Sequence, residues 1–206
     1  MVNLVMDGRI ALVVGGGEIA ARKTEDLLAS KASVTVVAPQ PGGRILALAE
    51  EKRIALRVRE YRSEDLADVF VAVAATNDEA VNQRVAREAM ATNLLVNVVD
   101  VPALCTFTVP AVVSRGDLTL AVATNGRCPA LSSILRAELE GRYGPEYAEL
   151  VEIFARLRSE MMAQSWDGPR IRARLAQLYR GGVMPLIASG DRCGLEQFLR
   201  DCGLEG

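Results

Sequence analysis

The first hundred residues set short apolar runs in turn against stretches of helical periodicity. RIALVV (9–14), SVTVVA (33–38), VFVAVAA (69–75) and LLVNVV (94–99) read as buried strands. Residues 18–30, 42–52 and 78–92 carry apolar side chains at helical spacing, and IALRVRE (54–60) alternates like a strand near an edge. Strands joined through helices of this length argue a parallel sheet, and such a sheet needs cover on both faces. The predicted fold class is therefore α/β, a doubly wound Rossmann-type parallel sheet.

The pattern changes near residue 101. TFTVPAVVSRGDLTLAVAT (106–124) reads as two strands joined at Arg115-Gly116-Asp117, with Pro110 marking an edge or a bend. From Pro129 onward the chain reads as helical, with Pro129, Pro145 and Pro169 opening helices and two or three short elements after residue 179. The expected division is a Rossmann domain over 1–104, a small α+β segment over 105–146 and a helical C-terminal part over 147–206. The last is expected to form little core of its own.

Composition narrows the chemistry. The chain of 206 residues contains no histidine, so a Ser-His-Asp triad is excluded and any general acid or base is Asp, Glu, Lys, Tyr or Cys. Cys105, Cys128, Cys193 and Cys202 form no C-x-x-C pair, so no metal site is expected, and they read as reduced thiols, mostly buried. A net charge of −2 gives no general attraction to nucleic acid or membrane, and neither is expected as a partner. No apolar run reaches the roughly 20 residues that span a bilayer. The start, MVNLVMDGR, lacks a basic stretch followed by a long apolar one, so the expected location is cytoplasmic.

Gly15-Gly16-Gly17-Glu18-Ile19-Ala20 fits G-x-G-x-x-A between a predicted strand and helix. Gly15 permits the tight turn, Gly17 lets a pyrophosphate approach the backbone, and Ala20 allows close helix–sheet packing. The second strand then ends in Ala38-Pro39-Gln40, without the acid that commonly holds a ribose, and the nearest arginine, Arg44, is not adjacent. Backbone groups or Gln40 must meet the ribose. Thr76 and Asn77 close the fourth strand at the ligand-side edge, where they can touch a cofactor or, with Asp78, cap the next helix. Asp100 follows the fifth strand, either as a proton acceptor or metal ligand, or as a turn former.

Together, VVGGGEIAARK, VTVVAP, VAATND, NVVD and FTVPAVVSRGDLTLAVATNGRCPAL resemble the siroheme-synthase family of precorrin-2 dehydrogenases, over about residues 4–147. A strand ending in VAP rather than an acid is a trait of that family. The resemblance implies NAD as cofactor, with contacts at Gly15, Gly17, Glu18, Ile19, Pro39 and Gln40, and with Thr76 and Asn77 nearby. It puts the family's key aspartate at Asp100 and its substrate-side Ser or Thr at Thr124. It implies a homodimer intertwined through the middle segment and a tetrapyrrole substrate. Some members also insert iron, which leaves ferrous iron open as a further substrate. A substrate with eight carboxylates calls for cations, and Arg115 and Arg127 lead the candidates, ahead of Arg136, Arg142, Arg170, Arg172 and Arg174. Asn125 and Cys128 depart from the family's usual Gly and Ser. No methyltransferase domain follows in this sequence, so the fused arrangement is not expected. The competing expectation is an NAD-sensing regulatory dimer without turnover.

Overall fold

A computed structural model describes residues 2–202. Strands β1 (Ile10–Val14), β2 (Ser33–Val37), β3 (Ala55–Arg57), β4 (Val71–Ala74) and β5 (Leu95–Val98) form one sheet, all parallel, in the order β3-β2-β1-β4-β5. Helices α1 (Glu18–Ala29), α2 (Gly43–Glu50) and α3 (Glu79–Ala91) provide the crossovers. Period-two alternation divides the side chains between two cores. Ala11, Val13, Val71 and Val73 pack on one face with Ala20 and Ile45, and Leu12, Val14, Ala72 and Ala74 pack on the other with Val85, Ala86 and Ala89. Strand order reverses between β1 and β4, so a crevice opens at their carboxyl ends, where such sheets bind ligands.

The free edge of β5 is covered by the segment that follows it. Thr106 donates its N–H to the Val96 carbonyl (2.9 Å), and its Oγ1 accepts from the Val96 N–H (2.8 Å). The Cys105 thiol does similar duty at Val98, accepting from its N–H at 3.2 Å. Residues 106–110 are thus not the first half of the predicted hairpin strand. Thr106 and Phe107 instead line β5, with the Thr106 hydroxyl and the preceding Cys105 thiol standing in for ladder groups.

The contacts group the chain into two compact units, one up to Val109 and one from Pro110, where the sequence suggested three parts. The second unit opens with an antiparallel hairpin, β6 (Ala111–Arg115) and β7 (Leu118–Val122). Five helices follow: α4 (Pro129–Arg142), α5 (Glu146–Ala163), α6 (Gly168–Arg180), α7 (Val183–Ser189) and α8 (Arg192–Asp201). Pro129 and Pro169 stand in the first turns of α4 and α6, and Pro145 is the residue before α5. Contrary to expectation, the tail builds its own core. Leu150, Ile153, Leu157 and Met161 line one face of α5 and close on Ile171, Leu178, Val183, Ile187, Leu195 and Leu199. The cysteines also differ from expectation: Cys128 and Cys193 are exposed, and Cys105 and Cys202 are half-buried, all as free thiols.

Candidate functional site

The turn between β1 and α1 is tight because its glycines are pressed against neighbouring backbone. Gly15 has φ +134°, and a Cβ there would lie 2.2 Å from the Ala75 carbonyl oxygen. A Cβ on Gly16 would lie 2.6 Å from the Gln40 carbonyl oxygen, a constraint the G-x-G-x-x-A pattern does not express. Gly17 is different: nothing lies within 4 Å of where its Cβ would be. It is the extended residue before α1, with no side-chain cap. Helix geometry leaves the first amides of α1 without intrahelical partners, beside open space that suits an anion.

The predicted cofactor residues of the first unit gather at the carboxyl edge of this sheet. Gly17, Glu18 and Ile19 are exposed, the last at 44% despite its apolar side chain, and Ala20 beneath them is fully buried. Pro39 and Gln40 follow β2 and are exposed. The Gly42 N–H donates to the Gly16 carbonyl at 2.9 Å and ties that loop to the glycine turn. A nicotinamide dinucleotide fits these features on three counts: an uncapped helix start, an open Gly17 and apolar Ile19 exposed beside it.

After β4, the capping alternatives resolve onto Asp78, whose carboxylate accepts from the N–H groups of Ala80 (2.9 Å) and Val81 (3.2 Å). Thr76 is held by Asn82, a buried residue of α3 outside the predicted site. Its only sequence signal is a polar residue on the apolar face of the helix. Thr76 therefore offers its edge position rather than a free hydroxyl, while Asn77 is exposed with no hydrogen bond among the described residues. Asp100 is exposed in a turn past β5 with φ +59°, a conformation that Asp tolerates better than most residues.

In the second unit, Thr124 Oγ1 accepts from the Cys128 N–H (3.1 Å) and lies 3.2 Å from Ser132 Oγ, which fastens the turn ahead of α4. Asn125 and Gly126 within that turn have φ +52° and +76°. Arg127 is exposed there, and its side chain makes no hydrogen bond among the described residues. Arg115 is engaged by carbonyls: Nε donates to Tyr143 (2.9 Å), Nη1 to Ser114 (2.9 Å) and Nη2 to Glu140 (3.2 Å). Arg136 pairs with Glu140, and Arg170 lies over the Trp166 ring at 3.8 Å. Among the described residues no three Cys, Asp or Glu side chains cluster as a metal site would require, and no helix is long and apolar enough to cross a membrane.

An uncapped glycine turn at the switch point of a parallel sheet defines a dinucleotide-binding fold, and the comparisons agree. The family model described as "Putative NAD(P)-binding" matches residues 2–111, and the chain belongs to that family. It is 39% identical over 195 residues to a siroheme synthase of Pseudomonas entomophila, covering 95% of this chain and 42% of that protein. It is 35% identical over 186 residues to a siroheme synthase of Psychrobacter cryohalolentis, covering 90% and 36%. The chain thus spans about two fifths of the length of the curated relatives it matches. Among solved structures it is similar to SirC, a precorrin-2 dehydrogenase, with a TM-score of 0.77 and 28% identity over 98% of both chains.

Proposed function

We propose that this protein is an NAD-dependent precorrin-2 dehydrogenase, forming sirohydrochlorin on the route to siroheme in the cytoplasm. One observation carries the reading: Gly17 stands open at the uncapped start of α1 while Gly15 and Gly16 are packed tight. The likeness to a named precorrin-2 dehydrogenase over 98% of both chains, and to siroheme synthases over about two fifths of their length, supports the substrate. The regulatory-sensor reading has no comparable support.

When bound, NAD supplies the hydride acceptor for the two-electron oxidation. The residues of the chain do the rest. The amides that open α1 hold the pyrophosphate, and Glu18, Ile19, Pro39, Gln40, Thr76 and Asn77 border the cofactor. The Asp100 carboxylate takes the proton that leaves the substrate as the hydride departs. Thr124 supports the substrate side through the turn it fastens. Arg127 meets substrate carboxylates, and Arg115 braces the far end of the hairpin against the end of α4. Ferrous iron as a second substrate is an extension of the same reading, with Asp100 receiving pyrrole N–H protons.

The active form in this reading is a homodimer built on the second unit. Ser132 is the only buried residue of α4, while Leu131 and Ile134 are 44% and 56% exposed. Such an apolar face calls for a partner. The test is an anaerobic assay of purified chain with precorrin-2 and NAD. NADH and sirohydrochlorin formed in equal amounts support the reading, and NAD binding without turnover overturns it.

A further inference from the structure

Arg44, the second residue of α2, is the arginine nearest in sequence to the end of β2, and it is not free. Its Nη1 donates to Glu18 Oε2 at 2.9 Å and its Nη2 to Glu25 Oε2 at 2.5 Å. The two carboxylates stand seven residues apart, about two helical turns, and so share a face of α1. Glu18 begins that helix beside the open Gly17, so the clamp reaches from the first turn of α2 to the start of α1. One guanidinium divided between two carboxylates leaves the trio with a surplus negative charge. Arg57, at the end of neighbouring β3, is committed too, since it pairs with the buried carboxylate of Asp65 together with Arg59.

The ribose of a bound dinucleotide belongs at the end of β2, and a 2′-phosphate on it carries close to two negative charges. Accepting that group takes a guanidinium free to turn toward it with its charge uncompensated. Resting on the dinucleotide reading of the site, we propose that Glu25, with Glu18, sets cofactor choice by holding Arg44 away from a 2′-phosphate. The specificity is then largely repulsive, with the surplus carboxylate rejecting NADP and the ribose of NAD passing unopposed.

The test is calorimetric titration of the purified protein with NAD and with NADP at one ionic strength. Glu25 is half-buried at the surface and lies outside the glycine turn, so Glu25→Gln retains the fold and its affinity for NAD. It removes the surplus charge and reduces the hold on Nη2 of Arg44 to a neutral hydrogen bond. NADP affinity is expected to rise about tenfold or more, the worth of a charge-assisted hydrogen bond. The double variant Glu25→Gln/Arg44→Ala is expected to lose that gain. A wild-type protein that binds NADP as tightly as NAD overturns the proposal and leaves the dinucleotide site standing. So does an unchanged NADP-to-NAD ratio in Glu25→Gln, or a gain that persists without Arg44. Wild-type protein that binds neither cofactor overturns the reading of the site and this inference together.

Discussion

Asn82 holds Thr76 at both ends of its backbone. Asn82 Nδ2 donates to the Thr76 carbonyl at 2.9 Å, while Asn82 Oδ1 accepts from the Thr76 N–H at 3.3 Å and lies 2.9 Å from the Thr76 hydroxyl. The hydroxyl also sits 2.9 Å from the Asp78 carbonyl, and its single proton serves one acceptor at a time. A buried amide on α3 thus fixes the loop that closes β4 at the cofactor edge. Asn82→Leu keeps the volume and strips these bonds, so it should destabilise the protein by about 1–3 kcal/mol and weaken cofactor binding. Urea titration reads the first effect, and a loss below about 0.5 kcal/mol, the range of an ordinary surface substitution, would contradict it.

The glycine turn predicts opposite behaviour at two positions. Gly15→Ala forces a Cβ into the Ala75 carbonyl at a backbone angle that L-residues avoid, so the protein should lose much of its stability. Gly17→Val meets open space and an extended backbone, so the thermal midpoint should stay near wild type while dinucleotide binding is lost. Melting with and without NAD separates the two. A Gly17→Val protein that NAD still stabilises would remove Gly17 from the site.

Asp65 gives a pH signature. Burial favours its neutral form, but hydrogen bonds from Arg59, the Arg62 N–H and Arg57 outweigh that and hold its pKa down to about 2, from an ordinary value of 3.8. A depressed carboxylate stabilises the fold at pH values above its unfolded pKa and loses that contribution as pH falls through the folded one. Stability should therefore drop by roughly 2 kcal/mol between about pH 4 and pH 2 on account of this group. Asp65→Asn should flatten that stretch of the curve and lower stability at neutral pH. An unchanged slope in the variant would show that the group is not so coupled.

Ile134 tests assembly. Ile134→Glu places a charge on the exposed apolar face of α4 without touching the core of the second unit. Sedimentation should find a dimer for the wild type and a folded monomer for the variant at micromolar concentration. A wild-type monomer, or a variant that stays dimeric, counts against the second-unit interface.

These tests fall unevenly on what the sequence reveals. The parallel sheet was legible because Leu12, Val13, Val36 and Val73 lie in runs that only a doubly covered strand explains. The glycine turn was legible because its spacing has a mechanical cause. Helix ends were less so: predicted helices ran to 30 and 52, yet α1 and α2 stop at Ala29 and Glu50, followed by Lys31 and Lys52 at φ +61° and +57°. Lysine in a left-handed turn carries no stop signal, unlike glycine. Strand β3 ends at Arg57 instead of running to 60, because Asp65 gathers Arg57 and Arg59 across six to eight residues. A buried ion cluster leaves no periodicity to read. The bonds of Asn82 and the tight packing of Gly16 leave no local pattern for a similar reason, since their partners belong to other elements. In the tail, the spacing of Leu150, Ile153, Leu157 and Met161 was present, but without α7 and α8 placed, nothing stood opposite it.

The account joins an open glycine turn to the exposed carboxylate past β5, so the most direct measurement is NADH formation from precorrin-2 by the wild type and by Asp100→Asn, side by side. Asn tolerates the left-handed turn at position 100 as Asp does, so the variant should fold and bind NAD normally. The account predicts turnover by the wild type and a rate about 10²-fold lower in the variant, the usual worth of a positioned acid–base group. A wild type that binds NAD yet forms no NADH, or an Asp100→Asn protein that matches the wild-type rate, would contradict it.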